Sequence, residues 1–240
     1  MLMRINKYLA SRGVASRRRI DELVERKKVL INGSVARLGD KVNDQKDTVQ
    51  FGKKIFTPSK TPQVYEHWMV YKPVGYVSTT SDPTGKPVVT SLVKSKQRLY
   101  PVGRLDVDSE GMIILTNDGK LTNKLTHPSR HLAKTYRVWV SGKITRNGLN
   151  QIRRGMRMKN FKVAPAEVEI IEKEDNSAVL EIVLYQGLNR QVRRMMKALN
   201  LYVKKLSRVA IGSLEIGELR PGQSKLLTKQ DLELFFPSEF

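Results

Sequence analysis

The chain is divided by a short segment whose composition does not favour regular structure. Residues 56 to 62, Phe-Thr-Pro-Ser-Lys-Thr-Pro, combine two prolines with small polar residues and have no apolar periodicity. Such a segment predicts a linker, and 240 residues are enough for one domain of ordinary size plus a smaller one. We therefore expect two domains, at residues 1–53 and 65–240, joined by a linker at residues 54–64.

The first of these domains predicts a helix pair followed by a strand hairpin. An apolar pattern at helical spacing ends at Gly13, and Ser16 is a suitable N-cap for a second helix. The dipeptide Asn32-Gly33 lies between two short apolar runs, which is typical of a tight turn between strands.

Positive charge is concentrated in this small domain. Residues 1–53 contain 13 Lys and Arg against 6 Asp and Glu. A charged helix face often only contacts solvent, but the clustering beside a tight hairpin favours RNA contact. The candidate RNA-binding residues on and after the second helix are Arg17, Arg18, Arg19, Lys27 and Lys28.

The whole chain carries the same excess. It has 44 Lys and Arg against 23 Asp and Glu, a net charge of +21, which favours a polyanionic partner such as RNA, DNA or an anionic membrane surface. The sequence has no apolar run of 18 residues and no secretion signal, so we expect a soluble, cytoplasmic protein with no membrane partner. We also expect a monomer. Cysteine is absent, and the three histidines lack metal-ligand spacing, so we expect no metal site.

The second domain predicts an α+β fold with a mixed, largely antiparallel sheet and flanking helices. Segments that alternate apolar and polar residues, as half-buried strands do, lie at 136–140, 167–170 and 180–184. Shorter strands are predicted at 68–71 and 75–80. One face of a helix is predicted from the spacing of Val192, Met195, Met196 and Leu199.

One acidic motif stands at a turn before a buried strand. Residues 103–111 read Gly-Arg-Leu-Asp-Val-Asp-Ser-Glu-Gly and precede the apolar run 112–115. Aspartate in turns commonly bonds its own backbone, and we expect that role for Asp108 and for Asp118 beyond the strand. Asp106 differs because it would stand where the chain enters the sheet, so it is a candidate catalytic carboxylate, although the local sequence does not exclude a turn role.

Two resemblances cover almost the whole chain. Residues 3 to about 50 resemble an S4 domain, a small RNA-binding module, through segments 4–9, 13–18 and 29–33. The motif Gly103-Arg104-Leu105-Asp106, with 109–119, is similar to the catalytic motif of the RsuA family of pseudouridine synthases. Further blocks of that family recur in order at 72–79, 134–138, 187–195, 205–212 and 219–228.

The resemblance implies isomerisation of uridine to pseudouridine in ribosomal RNA without a cofactor. It implies that Asp106 acts at C1′ of an extruded nucleotide and that Arg193 pairs with this carboxylate. It also implies that Tyr136 packs on the uracil, that Leu206 walls the pocket and that Arg104 fills the gap left by the base. Other cations would touch phosphates or face solvent: Arg190, Arg194, Lys197, Lys204 and Lys205.

The substrate and two other functions stay open on the sequence alone. Blocks 189–195 and 204–206 resemble the large-subunit (RluB/RluF-like) members more than the small-subunit member, which favours 23S over 16S rRNA, with tRNA as a further possibility. A catalytically silent rRNA-binding or ribosome-assembly protein is one alternative. A magnesium-dependent nuclease using Asp106, Asp108 and Asp118 is the other, and it would need a further acid nearby.

Overall fold

A computed structural model describes residues 2–58, 64–158 and 161–236. The chain separates into two compact units, one comprising Met1–Tyr65 with Asn117–Gly119, and the other comprising Glu66–Thr116 with Lys120–Phe240. Within the described ranges, no helix is both long and apolar enough to cross a membrane.

The first unit contains the predicted helix pair and hairpin. Its elements are β1 (Leu2–Arg4), α1 (Ile5–Ser11), α2 (Arg17–Glu25), β2 (Val29–Ile31), β3 (Ser34–Val35), β4 (Lys41–Asn43), β5 (Val49–Phe51) and β6 (Lys54–Phe56). Ser16 caps α2, because its side chain accepts a hydrogen bond from the Arg19 backbone at 3.3 Å. The strands form a sheet of order β3-β2-β5-β6 and a separate β1-β4 pair.

The sheet extends into the segment predicted as a linker. Lys54–Phe56, the first residues of that segment, pair with β5 as an antiparallel strand. Phe56 packs on the apolar core of this unit, which explains why it is not free chain. The prolines that suggested a linker begin only at Pro58, and residues 59–63 lie outside the described part of the structure.

The second unit is built on one large mixed sheet, so the predicted α+β class is confirmed. Its strands are β7 (His67–Lys72), β8 (Tyr100–Val102), β9 (Glu110–Thr116), β10 (Lys134–Ser141), β11 (Met156–Met158), β12 (Phe161–Val163), β13 (Glu167–Lys173), β14 (Ser177–Leu184), β15 (Tyr202–Ile211), β16 (Leu214–Glu215) and β17 (Ser224–Leu226). The helices are α3 (Gly119–Thr126), α4 (Arg146–Arg154), α5 (Gln191–Ala198) and α6 (Lys229–Glu233), with short 3-10 helices at Val89–Leu92 and Pro128–Arg130.

The order of strands in this sheet is β13-β14-β10-β15-β9-β7-β17, with β16 beside β15, and β8 and β9 also paired. The β9–β15 ladder is parallel, whereas the other ladders of this sheet are antiparallel. Helices α4 and α5 bury apolar residues against the β10–β14–β15 half of the sheet. Strand β9 contributes to cores on both of its faces.

Two strand predictions need correction. Residues 75–80 do not form a strand; Val77 makes only an isolated bridge to Val88, because Gly75 adopts φ +92° and Thr79 turns back to bond the Val77 carbonyl. In β13 the alternation holds for Val168, which is buried, but Ile170 is 38% exposed. A register shift after Ile170 on this edge strand breaks the regular alternation.

Gly111 allows the parallel pair to form. A Cβ at this position would lie 2.3 Å from the Arg208 carbonyl oxygen, and the residue has φ +102°. Any side chain would force β9 and β15 apart. The glycine that closes the acidic motif is therefore required by the close approach of two strands.

Candidate active site

The segment that carries Asp106 is held through its backbone by the loop that follows β7. The Ser78 hydroxyl donates to the Leu105 carbonyl at 2.8 Å and accepts from the Leu105 amide at 3.0 Å. The Gly75 amide donates to the Val107 carbonyl at 2.8 Å. Asp106 lies between these two anchored residues, so its position is set by contacts to a distant part of the chain.

A buried lysine holds the next part of the same segment. Lys72, at the end of β7, is fully buried and donates hydrogen bonds to the Ser109 carbonyl at 2.6 Å and the Pro73 carbonyl at 2.8 Å. Burial lowers the pKa of Lys72 to about 8. Sequence reasoning placed Lys72 in a family motif but gave it no function; the signal that could have found it was a lysine continuing a buried apolar strand.

A pocket of about 380 Å³ opens beside Asp106. It brings together Asp106 and two of the predicted cations, Arg104 and Arg190, with Asp108 at its edge. Val74, Val77 and Leu105 give it an apolar side. A cavity with apolar walls and a few convergent charged groups suits a planar polar ring such as a nucleobase.

Asp106 pairs with Arg190. The Arg190 Nη1 atom lies 3.6 Å from the Asp106 Oδ2 atom, and the Asp106 side chain is 30% exposed. Arg193, which the family resemblance assigned as its partner, instead contacts Asp108: its Nε atom lies 3.3 Å from Asp108 Oδ2, and its Nη2 donates to the Asp108 carbonyl at 2.6 Å.

Asp108 is therefore more than the self-bonding turn residue that we expected. Arg190 binds it in bidentate fashion, with Nη1 at 3.0 Å and Nη2 at 2.8 Å from its two carboxylate oxygens. Hydrogen bonding from Arg190, with the positive charge of Arg193, holds the pKa of Asp108 below its usual value. This carboxylate joins two arginines next to Asp106.

Tyr136 and Leu206 lie together on one face of the sheet. Tyr136 on β10 is opposite Arg208 on β15, and the next pair along that face is Val138 opposite Leu206. Leu206 is buried, and the half-buried Tyr136 packs against the apolar cluster that includes Leu105. Tyr136 thus contacts the core immediately beneath the segment that carries Asp106.

The remaining predicted cations occupy different places. Arg104 is exposed at the pocket, and Arg194 and Lys197 lie on α5 with Arg193. Lys205 lies 3.0 Å from Glu110 and stacks over the Trp139 ring. The cations of the first unit are exposed: Arg17, Arg18, Arg19, Lys27 and Lys28.

The acids of the motif do not form a metal-binding group. Among residues 2–58, 64–158 and 161–236, no cluster of three His, Cys, Asp or Glu side chains is arranged to hold a metal ion. Arginines surround Asp106 and Asp108, so positive charge already occupies the space beside them. This environment does not favour the two-metal nuclease hypothesis.

Comparisons with known proteins identify the family. Residues 66–198 match the family model described as RNA pseudouridylate synthase, and residues 3–49 match the S4 domain. The first match alone spans more than half of the chain. The chain belongs to the RNA pseudouridine synthase family.

Relatives align over nearly the full length. An uncharacterized RNA pseudouridine synthase of Aquifex aeolicus is 37% identical over 98% of this chain and 94% of its own length. The ribosomal large subunit pseudouridine synthase B of Bacillus subtilis is 37% identical over 96% of this chain and 94% of its own length. A crystal structure described as that of pseudouridylate synthase matches with a TM-score of 0.68 and 27% identity, covering 97% of this chain and 99% of the other. The resemblances noted in the sequence are thus confirmed at the level of family and fold.

Proposed function

We propose that this protein converts uridine to pseudouridine in ribosomal RNA, with Asp106 as the reacting carboxylate. The observation that carries the proposal is the position of Asp106 in a base-sized pocket, on a segment held by Ser78 and Lys72 and beside the Arg190 guanidinium. Family membership supplies the class of reaction.

The chemistry needs one anionic group at the anomeric carbon. In the isomerisation the N1–C1′ bond breaks, a C5–C1′ bond forms, the C5 proton leaves to water and N1 gains a proton. In this proposal the Asp106 carboxylate attacks C1′ or stabilises the positive charge that develops there as N1 departs. Arg190, 3.6 Å from Asp106, supplies a counter-charge when no substrate is bound.

Other residues take supporting roles in this proposal. Tyr136 provides an aromatic face for the uracil and a hydroxyl that can relay the C5 proton to water, accepting it as its own proton leaves. Leu206 is buried in the core that Tyr136 contacts, and its role as a wall of the site comes from the family resemblance, because Val74, Val77 and Leu105 line the apolar side of the pocket. Arg193 acts through its contacts to Asp108. Arg104, exposed at the pocket, fills the space that the extruded base leaves in the RNA.

The proposed substrate is large-subunit (23S) rRNA, and the proposed place of action is the cytoplasm, as a monomer. The support is the 37% identity to the Bacillus subtilis large-subunit synthase over almost the whole length of both chains. The cations of residues 1–53, including Arg17–Arg19, provide a second RNA contact in this proposal.

Release of tritium tests the activity and the substrate together. Transcripts of 23S rRNA, 16S rRNA and tRNA that carry tritium at uridine C5 are incubated with the protein in excess chelator. We expect label in water from 23S rRNA. If only 16S rRNA or tRNA releases label, the proposal of 23S rRNA as the substrate is wrong. If the protein binds RNA but releases label from none of these transcripts, the catalytically silent alternative is supported. Strand cleavage in a parallel incubation with magnesium, abolished by chelator, would support the nuclease.

A further inference from the structure

A second basic surface lies on the catalytic unit, outside the pocket. Residues 119–166 contain twelve Lys and Arg and no Asp or Glu, although the chain has 23 acidic residues. Part of this span forms α4 and the β11–β12 hairpin. We call these two elements, with Lys143 just before α4, the basic lobe. Its exposed cations include Lys143, Arg146, Arg154, Arg157 and Lys162.

These cations of the basic lobe have no carboxylate partner among the residues that the structure describes. Ion pairs that the structure shows in this unit include those at Arg137, Arg190, Arg193, Lys205 and Lys225. Within the hairpin, Arg157 stands directly opposite Lys162 across two antiparallel strands. Like charges in that position are destabilising unless an anion lies between them. Solvation of a helix face explains Arg146 and Arg154 but not this opposed pair.

The described parts of the lobe pack on the core of the unit. Leu149 and Ile152 of α4 and Val163 of β12 are buried in one core. Gly155 ends α4 with φ +84°, and a Cβ there would lie 2.7 Å from the Val163 carbonyl oxygen, so the hairpin packs closely against the end of the helix. A preformed surface loses little conformational entropy on binding.

The basic lobe is connected to the pocket through α5. Gly148 of α4 lies against Leu199 at the end of α5, close enough that a Cβ added to the glycine would be 3.7 Å from the leucine side chain. The α5 helix carries Arg193, which contacts Asp108. Both helices pack on one apolar core, and Arg190, the N-cap residue of α5, lines the pocket, so α5 connects the lobe to the pocket.

Charge on the neighbouring edge has the opposite sign. Residues 167–175, on β13 and the turn after it, contain five Asp and Glu and a single Lys. This segregation attracts a polyanion to the α4 side and repels it from the β13 side. This separation of charge would therefore favour one orientation of a bound polyanion as well as strengthen its binding.

We propose that the basic lobe binds the phosphate backbone of the RNA that flanks the target uridine. The inference rests on the proposed function, because the RNA that reaches the pocket is the one that lies across the lobe. Phosphate contacts position an RNA without reading its sequence. The lobe would thus act on long substrates and leave the chemistry at Asp106 unchanged.

The test compares two variants of equal charge. The lobe variant carries Arg146→Gln, Arg154→Gln and Arg157→Gln. The control variant carries Lys173→Gln, Arg220→Gln and Lys229→Gln, three exposed cations outside the lobe. Binding of 23S rRNA fragments is measured against salt concentration. For the lobe variant, we expect the plot of log association constant against log salt concentration to become less steep by about 2 to 3. Each lost phosphate contact reduces the magnitude of that slope by about 0.7 to 0.9.

Turnover separates this proposal from the proposed function. With long rRNA, the lobe variant should show a KM raised about tenfold or more with kcat preserved, in line with the loss of phosphate contacts. With a short oligonucleotide that only fills the pocket, it should match the wild type. If the lobe and control variants show equal salt slopes while the wild type is active, the proposal that the basic lobe binds RNA is wrong. Inactivity of the wild type itself would overturn the proposed function. A lobe variant that loses kcat on the short oligonucleotide would also contradict a purely positioning contact.

Discussion

Arg190 donates hydrogen bonds to both carboxylate oxygens of Asp108, at 3.0 and 2.8 Å, and its Nη1 atom lies 3.6 Å from Asp106 Oδ2. The two aspartates are therefore linked through one guanidinium, and Arg193, in the first turn of α5, also binds Asp108. Asp108 fixes where the two arginines lie relative to Asp106, the carboxylate that we propose to react.

Replacing Asp108 tests that role. Asp108→Asn keeps the shape of the side chain but removes the charge that both arginines bind. We expect kcat to fall by about 100-fold, because a small displacement of a charged group next to the reacting atoms has an effect of that order. RNA affinity should not fall, since the change removes a negative charge from a surface that meets a polyanion.

A matched control is Asp175→Asn, an exposed turn aspartate in the same unit. It should leave kcat unchanged. In combination with Arg190→Gln, Asp108→Asn should cost little more than Arg190→Gln alone, because both act through the same pair. Full additivity of the two losses, or an unchanged kcat in Asp108→Asn, would show that Asp108 does not work through Arg190.

The buried Lys72 should give the free energy of unfolding an unusual dependence on pH. Burial lowers its pKa from 10.5 to about 8 in the folded protein. Between these values the unfolded chain keeps a proton that the folded protein has released, so the free energy of unfolding should rise with pH. A neutral amine still has two hydrogens for the Ser109 and Pro73 carbonyls.

The comparison with Lys72→Met isolates this effect. Urea unfolding at pH 7.5 and pH 9.5 should show wild-type stability rising relative to the variant. Lys134, whose pKa burial also lowers to about 8, is present in both proteins and cancels in the difference. A stability difference between wild type and Lys72→Met that stays constant with pH would mean that the folded lysine remains protonated.

Gly111→Ala should destabilise the catalytic unit. The added Cβ would meet the Arg208 carbonyl oxygen at 2.3 Å, and the backbone has φ +102°. We expect the free energy of unfolding to fall by about 2 to 4 kcal/mol. Gly217→Ala, with φ +58° and nothing within 4 Å, is the control. It should lose only about 1 kcal/mol from backbone strain, and equal losses in the two variants would argue against a steric role for Gly111.

Local sequence pattern predicted much of the fold. The helix-period spacing of Val192, Met195 and Met196 correctly identified the buried face of α5. The Asn32-Gly33 dipeptide correctly placed a hairpin. These succeed because periodicity and turn chemistry act between residues that are near one another in the chain.

Long-range contacts were beyond the same reasoning. Arg190 and Asp108 are 82 positions apart, and Lys72 and Ser109 are 37 apart. Nothing in the local pattern specifies which arginine at the start of α5 meets which aspartate, because that depends on the parallel β9–β15 pairing. The family motif indicated that Asp106 matters, whereas the role of Asp108 became visible only in three dimensions.

The decisive experiment for the proposed chemistry is the rate of C5 tritium release by Asp106→Asn on the preferred RNA. The substitution removes the anionic oxygen but keeps the size of the side chain. We predict no detectable release, with RNA affinity within about threefold of wild type because phosphate contacts carry most of the binding. Release at a rate near that of the wild type would contradict Asp106 as the reacting carboxylate.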